Sequence, residues 1–287
     1  MSTPDLDEFS TTTAVLRQTS ATTLRREGGG RLVTIDTGPS EAARNALLLV
    51  HGWTCDSTSF DAQLRHFGAI RRVILPNLRG HGPNDAPVQG YALVDFVDDL
   101  RWQLDVLQVD RAIVVGHSMG GNVGLELAVR EASRISGVLM IDSVLLPSPE
   151  ADAAVRNIAT LLDEIGLAAT LERTSGLLFG DHDDSGLAAG IIKIMAATPY
   201  HVAVPALRSH VVDYDAGPTL AHCKVPLGYI AAANPLADIS RVRELFPKLI
   251  AAQTLGAGHF SPIFAPDQVN AMIDRFMTIV EAEPVME

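Results

Sequence analysis

Residues Val114 to Gly121 read Val-Val-Gly-His-Ser-Met-Gly-Gly, a serine held between glycines, after an apolar strand and before a helical stretch. This run constrains the fold more than any other. A strand can reverse into a helix within so few residues only where side chains are missing at the crossing, and such a turn lifts the Ser118 hydroxyl above a sheet edge. Arg111 to Val115 carries the β-branched residues of a buried strand, and Asn122 to Val129 continues as an apolar-rich helix. The setting is that of a nucleophile elbow; the bland alternative is a glycine-rich turn with no chemistry.

An elbow serine needs donors for an oxyanion, a base and an acid. Ala46 to Val50 is an apolar run ending in His51-Gly52-Trp53, and a strand that stops at His-Gly presents the next backbone N–H to the top of the sheet. The N–H groups of Trp53 and of Met119, the residue after the serine, are the expected oxyanion donors. Leu249 to Leu255 reads as a last strand, followed by Gly256-Ala257-Gly258-His259-Phe260. His259 sits there on a loop able to swing towards Ser118 and is the expected general base. His51, Cys55 and His117 are placed at the substrate pocket by their neighbours, with His51 more a prop of its loop than a titrating group and Cys55 more a small buried hydrophobe than a pocket wall. His81 is read as structural, and His66, His182, His201, His210 and His222 as surface or cap residues.

Four segments then carry a resemblance to the α/β-hydrolase superfamily: His51-Gly52-Trp53, Pro76-Asn77-Leu78-Arg79-Gly80-His81-Gly82, Gly116-His117-Ser118-Met119-Gly120-Gly121 and Gly256-Ala257-Gly258-His259-Phe260. It covers roughly residues 30 to 282. The resemblance implies an α/β fold, a mostly parallel central sheet wrapped by helices with an inserted helical cap, and leaves the substrate open. In most relatives the acid follows the strand after the cap, here Leu227 to Ala231, where Asn234 stands in place of an aspartate. An amide cannot offset the charge of an imidazolium. One strand earlier, Gly137 to Ile141 ends in Asp142, and some members of the superfamily place their acid there. Asp142 is therefore the expected acid, in the chain order Ser118, Asp142, His259. The other reading of Asp142 is a strand-end carboxylate capping the next loop. Asp238 is the reserve acid, although its place after Pro235 suits a helix N-cap better.

Expected strands at Leu32 to Asp36, Ala46 to Val50, Arg72 to Leu75, Ala112 to Val115, Gly137 to Ile141, Leu227 to Ala231 and Leu249 to Leu255 alternate with helices, the pattern of a parallel sheet. Residues 1–29 read as a polar lead-in, 30–145 with 222–287 as the core, and 146–221 as a helical cap insertion. In the insertion, Leu161, Leu178, Phe179, Ile194, Met195 and Leu207 are candidates to face a lipophilic substrate or to pack the cap onto the core.

No HExxH, paired CxxC or GxGxxG after a strand occurs, so neither metal nor organic cofactor is expected. A net charge of −12 without a basic cluster argues against nucleic acid and anionic membrane surfaces, and no apolar run is long enough to span a bilayer. The polar start is neither a signal nor a transit peptide, and two cysteines without metal-ligand spacing fit a reduced cytoplasm. The expected activity is hydrolysis of a carboxylic ester or lactone of a small lipophilic molecule through an acyl-enzyme, with that small molecule as the partner and the oligomeric state open.

Two other readings stand beside it. One is a cofactor-independent dioxygenase of a 3-hydroxy-4-oxoquinoline type substrate, in which the histidine-aspartate pair deprotonates the substrate for reaction with O₂. That branch is resembled in His51-Gly52-Trp53, Asn77, the early acid Asp142 and the missing acid at Asn234, while Met119 stands where a histidine is expected. The other is a receptor that uses the pocket for binding only.

Overall fold

Residues 20–26, 30–39 and 45–282 are described by the structure, a computed structural model. The strands β3 (Ala46–Val50), β4 (Val73–Pro76) and β5 (Ala112–His117) are buried at every position, as short apolar runs must be when helices cover both faces of a sheet. With β1 (Ser20–Arg26), β2 (Gly30–Asp36), β6 (Ile135–Ile141), β7 (Leu227–Ala231) and β8 (Ile250–Gln253) they form one sheet of order β1-β2-β4-β3-β5-β6-β7-β8. The pairs β1/β2 and β2/β4 are antiparallel and the remainder parallel.

The helices are α1 (Asp61–Phe67), α2 (Leu93–Val106), α3 (Met119–Arg130), α4 (Pro149–Ile165), α5 (Leu167–Arg173) and α6 (Ser175–Leu178). There follow α7 (Ser185–Ala196), α8 (Tyr200–Leu207), α9 (Ala216–His222), α10 (Ile239–Leu245), α11 (Ser261–Phe264) and α12 (Pro266–Ala282). Alternation along β3 splits the core in two. Leu47 and Leu49 join Leu64 and Phe67 of α1 and Ile273, Phe276 and Met277 of α12. Leu48 and Val50 face the other way, with Phe96 and Leu100 of α2 and Val123 and Leu127 of α3.

Helices α4 to α9 all lie between β6 and β7 and are tied to the loops that follow the core strands. The Trp53 indole N–H donates to the Ala203 carbonyl at 2.7 Å, Thr198 Oγ1 donates to the Thr54 carbonyl at 3.3 Å, and His201 bonds the Ala86 carbonyl at 3.3 Å. Of the apolar residues expected to face a ligand, Leu161, Met195 and Leu207 are buried, and Leu178 and Phe179 are partly buried against the core. Ile194 is 39% exposed and turns to the surface instead.

The lead-in expected over 1–29 ends earlier than that, because Ser20–Arg26 is a strand whose Leu24 pairs with Leu32 of β2. Residues 1–19 and 27–29 lie outside the described ones. Asp238 caps α10, accepting the N–H groups of Ser240 and Arg241, as its place in the sequence suggests. Among the described residues no single helix is long and apolar enough to cross a membrane.

Buried histidines pin several turns. His51 donates from Nδ1 to the Gly52 carbonyl at 2.9 Å and accepts the Leu78 N–H on Nε2 at 3.0 Å, which locks a neutral tautomer and joins the loops after β3 and β4. His81 bonds the Arg79 carbonyl through Nδ1 at 2.8 Å. His210, read from sequence as a surface or cap residue, is buried in a π turn over Arg208–Val212 and bonds the Ala206 carbonyl at 2.8 Å. Burial lowers His51, where the neighbouring His81 adds to the effect, to about 3, and lowers His81 and His210 to about 4.

Unfolded, each of these imidazoles takes up its proton near pH 6.5. The unfolded chain therefore binds more protons between that pH and the folded values, so stability is full above pH 6.5 and declines as the pH falls towards 4. By pH 5 the loss is about 2 kcal/mol for each of the three histidines. Urea denaturation should show a midpoint that drops steeply from pH 7 to pH 5. A His210→Phe variant should show a shallower slope, and a parallel slope would refute the assignment.

Candidate active site

Ser118 follows β5 and caps α3 with φ 53° and ψ −121°, a conformation that costs an L-residue about 1–3 kcal/mol and persists only where its surroundings enforce it. Two backbone bonds do so: the Ser118 N–H to the Ile141 carbonyl and the Gly121 N–H to the Ser118 carbonyl, both 2.9 Å. The flanking glycines are needed for space. A Cβ on Gly116 would overlap the backbone of Gly120, and one on Gly120 would overlap the carbonyls of Val50 and His51. The loop after β3 thus lies directly on the elbow, and a Cβ on Gly52 would come within 3.2 Å of the Ser118 Cβ.

Asp142 ends β6, the strand beside β5, and also has a positive φ, 45°. Its Oδ2 accepts the Nδ1 proton of His259 at 2.8 Å, with the Asp142 side chain 1% and the His259 side chain 8% exposed. Oδ1 accepts backbone N–H groups of Leu236 at 3.2 Å and Ala232 at 3.4 Å, and the Tyr229 hydroxyl, which donates to the Ser143 carbonyl at 2.8 Å, stands 3.4 Å from it. Burial, and then the adjacent Asp142 carboxylate, push the Tyr229 phenol well above its usual range, so it stays a neutral donor. The loop after β7 thus supplies N–H groups to the carboxylate of β6, while its own Asn234 is exposed. The sequence signals the missing acid at Asn234 but not these donors, which are backbone groups.

His259 follows β8 and is steadied through its main chain as well as its ring. Its N–H donates to the Leu178 carbonyl at 3.0 Å, and its carbonyl accepts the Nε2 proton of His117 at 2.9 Å. The rings of His117 and His259 stand 4.6 Å apart between centroids, so the His259 ring lies against the residue that precedes Ser118.

Met119 opens α3, so its N–H is among those that a helix leaves unpaired, at the positive end of the helix dipole. Trp53 follows the glycine that packs on Ser118, and its indole is turned up into α8. Of the residues named for the pocket, His51 and Cys55 take the alternative the sequence offered, a loop prop and a small buried hydrophobe, and His117 is a buried prop as well. His51 is fully buried with both ring nitrogens bonded to backbone, so it ties loops and offers no group to a ligand. His117 is 1% exposed and props the His259 loop, and burial followed by the neighbouring His259 lowers it well below its usual value. Cys55 is buried, and burial pushes its thiol up to about 12, so it is no nucleophile near neutral pH.

Residues 45–166 match the family described as alpha/beta hydrolase fold. The chain is 25% identical to esterase YbfF of Escherichia coli K12 over 259 residues, spanning 85% of this chain and 98% of that protein. It is 33% identical over 99 residues to a 2-heptyl-3-hydroxy-4(1H)-quinolone dioxygenase of Mycobacteroides abscessus, a match spanning 34% of this chain and 37% of that protein. Among solved structures it is similar to the enol-lactonase of Burkholderia xenovorans LB400, with a TM-score of 0.76 and 22% identity over 90% of this chain and 100% of the other. The matched region holds β3, the elbow and Asp142, and with the sheet order and the structural likeness it gives this chain the α/β-hydrolase fold.

Proposed function

We propose that the protein is a serine hydrolase that cleaves a carboxylic ester or lactone of a small lipophilic molecule through an acyl-enzyme, with helices α4 to α9 as a cap over the site. The observation that carries this reading is the buried 2.8 Å bond from His259 Nδ1 to Asp142, at the end of the strand next to the one that leads into Ser118, itself held at positive φ. With Nδ1 committed to the carboxylate, the free Nε2 is the atom that takes the Ser118 proton as Oγ attacks the carbonyl carbon. The negative charge that develops on the carbonyl oxygen falls to the Trp53 and Met119 N–H groups, each such donor being worth ~3–4 kcal/mol in the transition state. His259 then protonates the departing alcohol, and a water deprotonated by the same ring releases the acid. Asp142 orients the ring and offsets its charge, and the two backbone N–H donors on its Oδ1 keep the carboxylate in place.

A second reading is supported by the likeness to the quinolone dioxygenase and by the acid standing at β6. There the His259–Asp142 pair removes a proton from a hydroxyquinolone, O₂ adds to the resulting anion, and Ser118 forms no bond to substrate.

Intact-mass analysis after a fluorophosphonate should show one adduct, absent in Ser118→Ala. On p-nitrophenyl butyrate, Ser118→Ala and His259→Ala should each lower kcat by about 10⁶-fold. Asp142→Asn should cost about 10⁴-fold, through the wrong tautomer of the ring, whereas Asn234→Ala should keep the wild-type rate. Full activity in Asp142→Asn would remove the acid from the scheme. For the second reading, oxygen consumption with a 3-hydroxy-4-quinolone should survive both the fluorophosphonate and Ser118→Ala, and its absence in the wild type dismisses that chemistry.

A further inference from the structure

The segment from Leu178 to Asp183, between α6 and α7, is fastened to the loop that carries His259. The Leu178 carbonyl accepts the His259 N–H at 3.0 Å. One residue earlier, the Gly258 N–H donates to Asp183 Oδ2 at 3.1 Å, and the same oxygen accepts the Gly180 N–H at 2.8 Å. The Phe179 ring stacks on Phe260 at 5.5 Å between centroids, at an interplanar angle of 22°. The approach is so close that a Cβ on Gly258 would run into the Gly180 nitrogen and the Asp183 carboxylate, which explains the second glycine of Gly-Ala-Gly-His.

We infer that Asp183 is a positioning residue for the base, its carboxylate gripping the backbone next to His259 so that the inserted helices, and not the core alone, set the ring against Asp142. This rests on His259 being the base of the proposed reaction. Asp142 fixes only the Nδ1 edge of the imidazole. The main chain that carries the ring is held from one side by His117, a core residue, and from the other by Leu178 and Asp183, both from the insertion. Asp183 acts through a charge-assisted bond to an N–H, the stronger kind of hydrogen bond, and it bridges two segments far apart in sequence. Without it the Gly258 N–H loses its acceptor, and a glycine-rich loop has little intrinsic stiffness of its own.

The test compares wild type with Asp183→Ala, Asp183→Ser and Asp183→Asn in the full chain. Serine keeps an oxygen for the near donor, Gly180, but is too short for Gly258, so it spares the local turn and removes only the bridge. Asparagine keeps an acceptor for Gly258. Two quantities are read: kcat and KM on p-nitrophenyl butyrate, and the low-field proton NMR resonance of the His259 Nδ1 proton shared with Asp142, assigned by its loss in His259→Ala. Alanine and serine should each lower kcat at least tenfold with KM within twofold, and should broaden or abolish the resonance. Asparagine should restore both to within threefold of wild type. The inference is overturned if the serine variant keeps the wild-type kcat and resonance, if kcat falls while the resonance stays sharp, or if asparagine is as impaired as alanine. Should the wild type turn over no ester, the hydrolase reading fails while the resonance still decides the role of Asp183.

Discussion

The bond between His259 and Asp142 organises the rest of the structure. A carboxylate with 1% exposure is tolerable only if its oxygens are satisfied, and three donors from two places meet it: the imidazole, and the N–H groups of Ala232 and Leu236 in the loop after β7. The loop after β7 is therefore shaped around an acid that belongs to the preceding strand. Moving the carboxylate one strand along would leave those N–H groups without their acceptor, so acid position and loop conformation are coupled.

What could be read from the letters is what local sterics dictate. Gly116 and Gly120 announce the elbow because two backbones cross there with no room for a side chain, and that requirement is independent of the remaining chain. The alternation of Leu47, Leu48, Leu49 and Val50 between two cores follows in the same way from a period of two. Asp142 was legible as a strand-end carboxylate paired with a missing acid at Asn234.

The parts that were not legible depend on partners distant in the chain. Ser20–Arg26 offers only Leu24 to the core and becomes a strand through β2. His117 stands next to the elbow serine in sequence, yet the tight turn directs it into the interior, where its bond to the His259 carbonyl settles its chemistry. His210 carries no local sign that a π turn will bury it. Proximity along the chain is a poor guide to which side of a sheet edge a residue faces, and hydrogen-bond demand inside the protein decides it.

The attachment of the helical insertion bears on how a ligand comes and goes. Trp53 to Ala203, Thr198 to Thr54, His201 to Ala86, Asp183 to Gly258 and His259 to Leu178 all engage the stretch 178–203 of it, at five separate positions and on three different core loops. Lifting it as a rigid flap would break all five together, at about 1 kcal/mol or more apiece, and would carry the imidazole out of register. Local breathing at one margin breaks far less. With the insertion covering the site as proposed, ligand traffic would pass by short-lived fraying at one margin, the helices acting as a porous roof whose exchange rate follows its softest seam rather than its stability as a whole.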